Sequence, residues 1–142
     1  MPIVTDKGFA PDDLNAAFVP ADDLPADGFS AVDVAPDTDL VPLLIRLDEV
    51  AAIRVAFPSF ADGRGFTIAR QLRRAGFTGR LRAAGHVIAD QYAMARRSGF
   101  DEVEIDDDLA TRQPEAQWLA RANWRGHDYQ SRLGRRRDAV TA

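Results

Sequence analysis

The fold is decided by the stretch Phe57-Pro58-Ser59-Phe60-Ala61-Asp62-Gly63-Arg64-Gly65-Phe66-Thr67-Ile68-Ala69-Arg70. Before it, Ile53 and Val55 show the alternation of a strand, and after it Ile68, Leu72 and Ala75 recur at helical spacing. Between them lies a loop with a proline, two glycines, an aspartate and an arginine. α/β proteins place functional groups at such a junction, beyond the carboxyl end of a strand and at the start of a helix. The stretch therefore predicts an α/β fold and the position of a site.

The same strand-then-helix pattern recurs along the chain. Strands are predicted over residues 29–34, 51–57, 80–84 and 101–105, and helices over residues 40–49, 66–75, 87–97 and 114–122. Gly76 and Gly99 are expected to end the second and third helices. Strands at this spacing are typical of βα repeats, which require parallel strands. We therefore predict four consecutive βα units on a parallel sheet.

The two faces of the predicted sheet differ in polarity. One face carries Val32, Val34, Ile53, Val55, Phe57, Leu81, Ala83, Val103 and Ile105, and the other carries Asp33, Arg54, Arg80, Arg82, Glu102 and Glu104. A doubly wound sheet is apolar on both faces, so helices are expected on one face only. Asp33, Arg54, Arg82 and Glu104 are expected to form a ladder of opposite charges across the strands. This pattern favours half of a (βα)8 barrel, with the charged face filled by the N-terminal arm, a second subunit or water.

The length of 142 residues predicts a single domain with its own core. Residues 1–27 are rich in proline, aspartate and alanine and are predicted to form an irregular arm. The (βα)4 core is predicted over residues 28–122, followed by a polar C-terminal tail over residues 123–142.

The composition excludes several classes of function. The chain has no cysteine, which excludes disulfides, thiolate metal sites and cysteine-ligated iron–sulfur clusters formed by this chain alone. No segment is apolar for long enough to cross a membrane, and the early Asp6, Asp12 and Asp13 do not fit a signal peptide. A cytoplasmic protein is expected.

The net charge of −4 hides a strong asymmetry along the chain. Residues 1–62 contain twelve acids and three bases, whereas residues 63–97 contain eight arginines and one acid. Helix positions carry Arg70, Arg73, Arg74, Arg96 and Arg97, which form either a solvated exterior or a docking surface for an acidic protein. Overall acidity, a single lysine and the lack of a nucleic-acid motif argue against nucleic-acid binding.

The loop Asp62, Gly63, Arg64 and Gly65 is the predicted site for an anion or a partner protein. Backbone N–H groups at a helix start and an adjacent guanidinium suit phosphate, sulfate, sulfite or a carboxylate. The alternative is that the glycines shape the turn and Asp62 caps the helix. Arg82 and His86 are assigned to the same site, with His86 either a proton-transfer group or a structural hydrogen-bonding residue.

No cofactor and no metal are predicted. The glycine spacing matches neither the dinucleotide nor the P-loop fingerprint. Asp106, Asp107 and Asp108, together with Asp33 and Asp37, offer oxygen ligands for Mg²⁺, but acidic runs are more often solvated helix caps. Catalytic residues are not identified from the sequence.

Residues 57–105 resemble the bacterial domain-of-unknown-function 934 family. The matching motifs are Phe57-Pro58-Ser59-Phe60, Asp62-Gly63-Arg64-Gly65, Arg82-Ala83-Ala84-Gly85, Asp90-Gln91 and Gly99-Phe100-Asp101. Such proteins commonly carry the label "probable oxidoreductase" and are associated with assimilatory sulfite reduction. The resemblance implies that context and sulfite reductase components as partners, and it transfers no catalytic residue.

Three functional hypotheses follow from the residues and the resemblance. The first is a small accessory protein that binds an oxyanion or docks on the sulfite-reducing machinery. The second is an independent oxidoreductase or proton-transfer enzyme with its site at the carboxyl ends of the strands. The third is a structural subunit whose charged face completes a barrel by homodimerisation.

Overall fold

A computed structural model describes residues 1–125. The described residues form one seven-stranded sheet with helices that follow its parallel strands. The strands are β1 Ile3–Thr5, β2 Gly8–Ala10, β3 Phe18–Pro20, β4 Ala31–Val34, β5 Ala52–Phe57, β6 Arg80–Gly85 and β7 Glu102–Glu104. The helices are α1 Val41–Leu44, α2 Arg64–Arg74, α3 Tyr92–Ser98, α4 Asp107–Arg112 and α5 Glu115–Leu119.

The strand order is β2-β1-β7-β6-β5-β4-β3. Strands β3 to β7 are parallel neighbours in sequence order, which confirms the α/β fold and its four consecutive βα units. The hairpin β1–β2 adds to β7 in the antiparallel direction. The resemblance to half of a barrel stays a prediction.

The apolar face of the sheet forms the core with the helices, as the alternation predicts. Ile53, Val55 and Phe57 of β5 are almost completely buried against Phe66 and Leu72 of α2 and the other members of a single cluster. The rings of Phe57 and Phe66 lie 5.0 Å apart, which fixes the start of α2 against the end of β5.

Residues 1–27 differ from the prediction, because they contain three short strands. Ile3 and Val4 are buried and extend the sheet beyond β7, and β3 extends it beyond β4. These strands are only three residues long and lie among prolines and aspartates, so no alternating pattern marks them. The connection between β2 and β3, residues 11–17, crosses from one edge of the sheet to the other, and we call it the strap.

Three predicted helices are shorter than expected, and the predicted helix 114–122 is helical only over α5, Glu115–Leu119. The segment 40–49 divides into α1 and a 3-10 turn, Leu47–Glu49, because Arg46 leaves helical geometry. Its guanidinium binds the carbonyl groups of Pro25 and Ala26 and the carboxylate of Glu49. The segment 87–97 begins with a 3-10 turn, Ala89–Gln91, before α3, and Gly99 ends that helix as predicted.

No helix in the described part of the chain is both long and apolar enough to cross a membrane.

Candidate functional site

The loop between β5 and α2 pairs its own charges. The guanidinium of Arg64 binds the carboxylate of Asp62 through two bonds, Nε to Oδ1 at 2.9 Å and Nη2 to Oδ2 at 2.6 Å. The backbone N–H of Arg64 also donates to Asp62 Oδ1, at 3.1 Å. These hydrogen bonds lower the pKa of Asp62 and keep it ionised. The guanidinium and the backbone N–H of Arg64 are therefore both bound to Asp62, within the loop itself.

The two glycines of this loop have different roles. A Cβ at Gly65 would overlap the ring of Phe57, so Gly65 is required for the helix to approach the strand. Gly63 precedes α2, and a Cβ added there would have no heavy atom closer than 4.0 Å. This arrangement matches the alternative interpretation for Gly65, that of a glycine shaping the turn.

His86 lies at the same end of the sheet as this loop. Its backbone N–H donates to the carbonyl of Phe57 at 2.8 Å, which places it beside the residue that precedes the loop. Gly85 precedes it with a φ of +116°, and a Cβ there would meet the same carbonyl. The His86 side chain is exposed and makes no hydrogen bond to any residue from 1 to 125. No hydrogen bond from residues 1–125 therefore fixes the orientation of this imidazole.

Arg82 lies elsewhere, inside the polar face of the sheet, where its side chain is 1% exposed. Its Nε donates to Glu102 at 2.6 Å, and its Nη1 donates to Glu104 at 2.9 Å. Both Nη atoms also bind the carboxylate of Asp12, at 3.0 Å each. The burial and these carboxylates leave the guanidinium inaccessible to a dissolved anion.

The charged ladder predicted for this face is present and is larger than predicted. Arg54 binds Asp33 through Nε to Oδ1 at 2.6 Å and Nη2 to Oδ2 at 2.9 Å, and it reaches Glu104 at 3.4 Å. This pairing, above all with Asp33, raises the pKa of Arg54. Arg80 bridges Glu102 and Asp13 of the strap, at 2.6 Å to each.

Of the three occupants considered for the charged face, the N-terminal arm is the one observed. Asp12 and Asp13 hold the strap against Arg82 and Arg80. Phe18, where β3 begins, places its ring 4.0 Å from the guanidinium carbon of Arg54. The sequence pattern did not mark these residues, because ion pairs between residues 67 to 70 positions apart have no local signature.

A cleft of about 190 Å³ opens on the polar face at the carboxyl ends of β4, β5 and β6. Its walls include Ala35, Ala56 and Ala84, and its charged lining is Asp22, Asp33 and Arg54. The three alanines each lie two positions after a ladder residue, Asp33, Arg54 or Arg82. This repeated spacing of a charged residue followed two positions later by an alanine is the sequence signal for the cleft, which the strand and loop patterns alone do not indicate.

The acidic run near the C-terminus is divided among separate contacts. Asp106 accepts the N–H of Leu109 at 2.7 Å and caps α4, and Asp108 pairs with Arg112 at 3.2 Å. Within residues 1–125, no group of three or more histidine, aspartate or glutamate side chains is arranged to hold a metal ion. Of the predicted polar tail, residues 126–142 lie outside the described residues.

The five helix arginines fall into two groups. Arg73 binds the carbonyl groups of Phe77, Gly79 and Gly99, and Arg96 binds Asp6 and the carbonyl of Phe100. These two are structural. Arg70 and Arg74 are exposed on α2 and pair with no residue in the described range. Arg97 is exposed on α3, and its one contact is a 3.5 Å approach to the carbonyl of Ala93 in the same helix.

We call the exposed arginines of α2 and α3, Arg70, Arg74 and Arg97, the arginine face. Two exposed apolar residues lie on α3 or are hydrogen-bonded to the residue before it: Met94 lies one turn before Arg97, and the carbonyl of Phe60 accepts a 2.7 Å hydrogen bond from the side chain of Gln91. Arginine, methionine and aromatic residues together are enriched at protein interfaces. These exposed residues are of the types found at protein interfaces.

A family model described as a bacterial protein of unknown function (DUF934) matches residues 31–139. Neither a curated protein nor a solved structure matches the chain.

Proposed function

The chain belongs to the bacterial DUF934 family of unknown function, and from this premise we propose that it is a cytoplasmic accessory protein of assimilatory sulfite reduction. In this role it docks on an acidic surface of the sulfite-reducing machinery through the arginine face. The association of similar proteins with sulfite reduction supports the pathway, and the exposed, unpaired arginines of the described chain support the docking surface.

One observation carries the proposal. Arg54, Arg80 and Arg82 are neutralised by carboxylates on the sheet, whereas Arg70 and Arg74 have no such partner in the described chain. Uncompensated guanidinium groups on one helix favour an acidic partner and increase its rate of association. Met94 and Phe60 add apolar area that a partner can bury.

The other hypotheses have less support. Oxyanion binding requires a free cation, but Arg64 is paired with Asp62 and Arg82 is enclosed by carboxylates. Completion of a barrel by a second copy requires an open charged face, but the strap crosses that face. A proton-transfer enzyme requires an oriented acid or base, and the imidazole of His86 makes no hydrogen bond to any of residues 1–125.

The test is a gene deletion followed by growth on sulfate or on cysteine as the sulfur source. The deletion strain is expected to grow slowly on sulfate and normally on cysteine. The wild-type gene and an Arg112→Glu control, which changes an exposed arginine on α4, are expected to restore growth. The double variant Arg70→Glu/Arg74→Glu is expected not to restore it. Equal growth of the deletion strain on both sources would remove the proposal.

A further inference from the structure

We infer that the cleft at the carboxyl ends of β4, β5 and β6 binds a small organic cation, a primary aliphatic amine being the simplest example. This site lies on the polar face of the sheet, whereas the arginine face lies on the helices that cover the apolar face. The two proposals are therefore independent.

The position of the cleft fits a ligand site. In open sheets of parallel strands, ligands bind beyond the carboxyl ends of the strands. Here three neighbouring strands end in alanines on the polar face, Ala35 directly after β4, Ala56 near the end of β5 and Ala84 near the end of β6. Ala56 and Ala84 are register partners, so the small side chains line up across the sheet. Their alignment leaves a recess between the ladder and the strand ends.

The size of the cleft restricts the ligand. A volume of about 190 Å³ is below the roughly 300–1,000 Å³ of common ligand sites. The enclosed part of the cleft therefore suits a ligand group of a few heavy atoms.

The charge of the lining selects the sign of the ligand. Two carboxylates, Asp22 and Asp33, and one guanidinium, Arg54, line the cleft and give it a net negative charge. Arg54 is already bound to Asp33 and Glu104, so an incoming anion would meet a compensated cation and surrounding carboxylates. An ammonium group can donate hydrogen bonds to the carboxylate lone pairs of Asp33 and Asp22 that Arg54 does not use.

The Arg54–Asp33 pair in the cleft is held in place by its neighbours, so its carboxylate is oriented before a ligand binds. Arg54 is held by two bonds to Asp33 on one side and by the ring of Phe18 against its flat surface. Asp33 therefore keeps a fixed position and orientation before a ligand enters. The alanine methyl groups supply an apolar surface for the aliphatic part of the ligand.

The test uses three probes of similar shape on the full chain: propylamine, propan-1-ol and propionate. Backbone and methyl NMR resonances are followed during titration at constant pH and ionic strength. Propylamine is expected to cause saturable shifts at Ala56, Ala84 and Asp33, whereas the alcohol and the acid cause none that saturate. Equal binding of propionate, or no saturable shift with propylamine, would overturn the inference.

Two variants and one control locate the binding. Ala56→Leu fills the recess from an exposed position and is expected to abolish the shifts. Asp22→Asn removes one carboxylate and leaves the Arg54–Asp33 pair intact, so affinity for propylamine is expected to fall several-fold. Ala116→Leu on the exposed side of α5 adds the same volume elsewhere and is expected to bind as the wild type does. Shifts that persist in Ala56→Leu would place the amine elsewhere and contradict the inference.

Discussion

The carboxylate of Asp12 binds Arg82 through two hydrogen bonds of 3.0 Å across a sequence distance of 70 residues. Arg82 is among the largest fully buried side chains, and Asp12 belongs to an exposed segment. The pair fixes the strap across the polar face. Because the strap connects the strands at the two edges of the sheet, this contact links the N-terminal residues to the centre of the fold.

Removing this carboxylate should destabilise the protein. Asp12→Ala is expected to lower the free energy of unfolding by about 1–3 kcal/mol, because it leaves two N–H groups of a buried guanidinium without their acceptor. Urea titration followed by circular dichroism measures the change. The matched control is Asp23→Ala, an exposed aspartate in the 3-10 turn Ala21–Asp23. A loss for Asp12→Ala no greater than for Asp23→Ala would show that the pair does not stabilise the strap.

The same contact predicts a pH dependence with a definite sign. Hydrogen bonds from Arg82 lower the pKa of Asp12 in the folded protein below its ordinary value of 3.8. The unfolded chain therefore binds this proton first as the pH falls, and the stabilisation is complete above about pH 4 and is lost through the folded pKa. The stability difference between wild type and Asp12→Asn should shrink as the pH falls below about 4. A difference that grows on acidification contradicts this assignment.

Arg73 and Arg74 are adjacent in sequence and should respond differently to substitution. Arg73→Ala removes donors from the carbonyl groups of Phe77, Gly79 and Gly99 and is expected to cost about 2–4 kcal/mol of stability. Arg74→Ala changes an exposed side chain and should stay within about 0.5 kcal/mol of wild type. Thermal and urea unfolding of both variants measure this contrast, and equal losses would refute the division of the helix arginines.

The close approach of Gly65 to Phe57 gives a further stability prediction. Gly65→Ala places a methyl group against the ring and is expected to destabilise by about 1–3 kcal/mol through overpacking. Gly63→Ala is the control, since the added methyl group has open space, and it should lower the free energy of unfolding by less than about 1 kcal/mol. If denaturant midpoints fall equally in both, helix-start preferences rather than the ring contact determine the requirement for glycine.

Much of the fold could be predicted from the sequence, because its signals are local. The alternation of Ile53, Val55 and Phe57 and the helical spacing of Ile68 and Leu72 each lie within one element, and both reflect burial on the same apolar face. The charged ladder could be predicted for the same reason, since Asp33 and Arg54 each alternate with buried residues on their own strand.

The strands and contacts of residues 1–27 could not be predicted from local patterns. β1 is stabilised by pairing with β7, and the strap by Arg80 and Arg82, so both depend on partners far along the chain. The helix arginines show the same limit. Periodicity places Arg73 and Arg74 near each other on α2, but only the packing of the residues that follow the helix shows that one is structural and the other exposed.

The predicted positions of the candidate residues agree with the structure in part, and their role as a binding site stays a prediction. Asp62, Arg64 and His86 lie at the carboxyl ends of the strands, as predicted from the βα order. Arg82 does not, because its position within β6 points its side chain into the ladder. The sequence gives the positions of the arginines. Whether an arginine is free or paired with Asp62, Glu102 or Asp12 depends on side-chain geometry, which the sequence does not show.

The proposed docking of the arginine face on the sulfite-reducing machinery is tested by a direct binding measurement with purified sulfite reductase from the same organism. Wild type and Arg112→Glu are expected to bind with equal affinity, and raising the salt concentration should weaken that binding. Arg70→Glu/Arg74→Glu is expected to bind at least about tenfold more weakly, a loss of about 1.4 kcal/mol. Binding by the double variant that equals wild type, or no binding by the wild type at low salt, would contradict the claim.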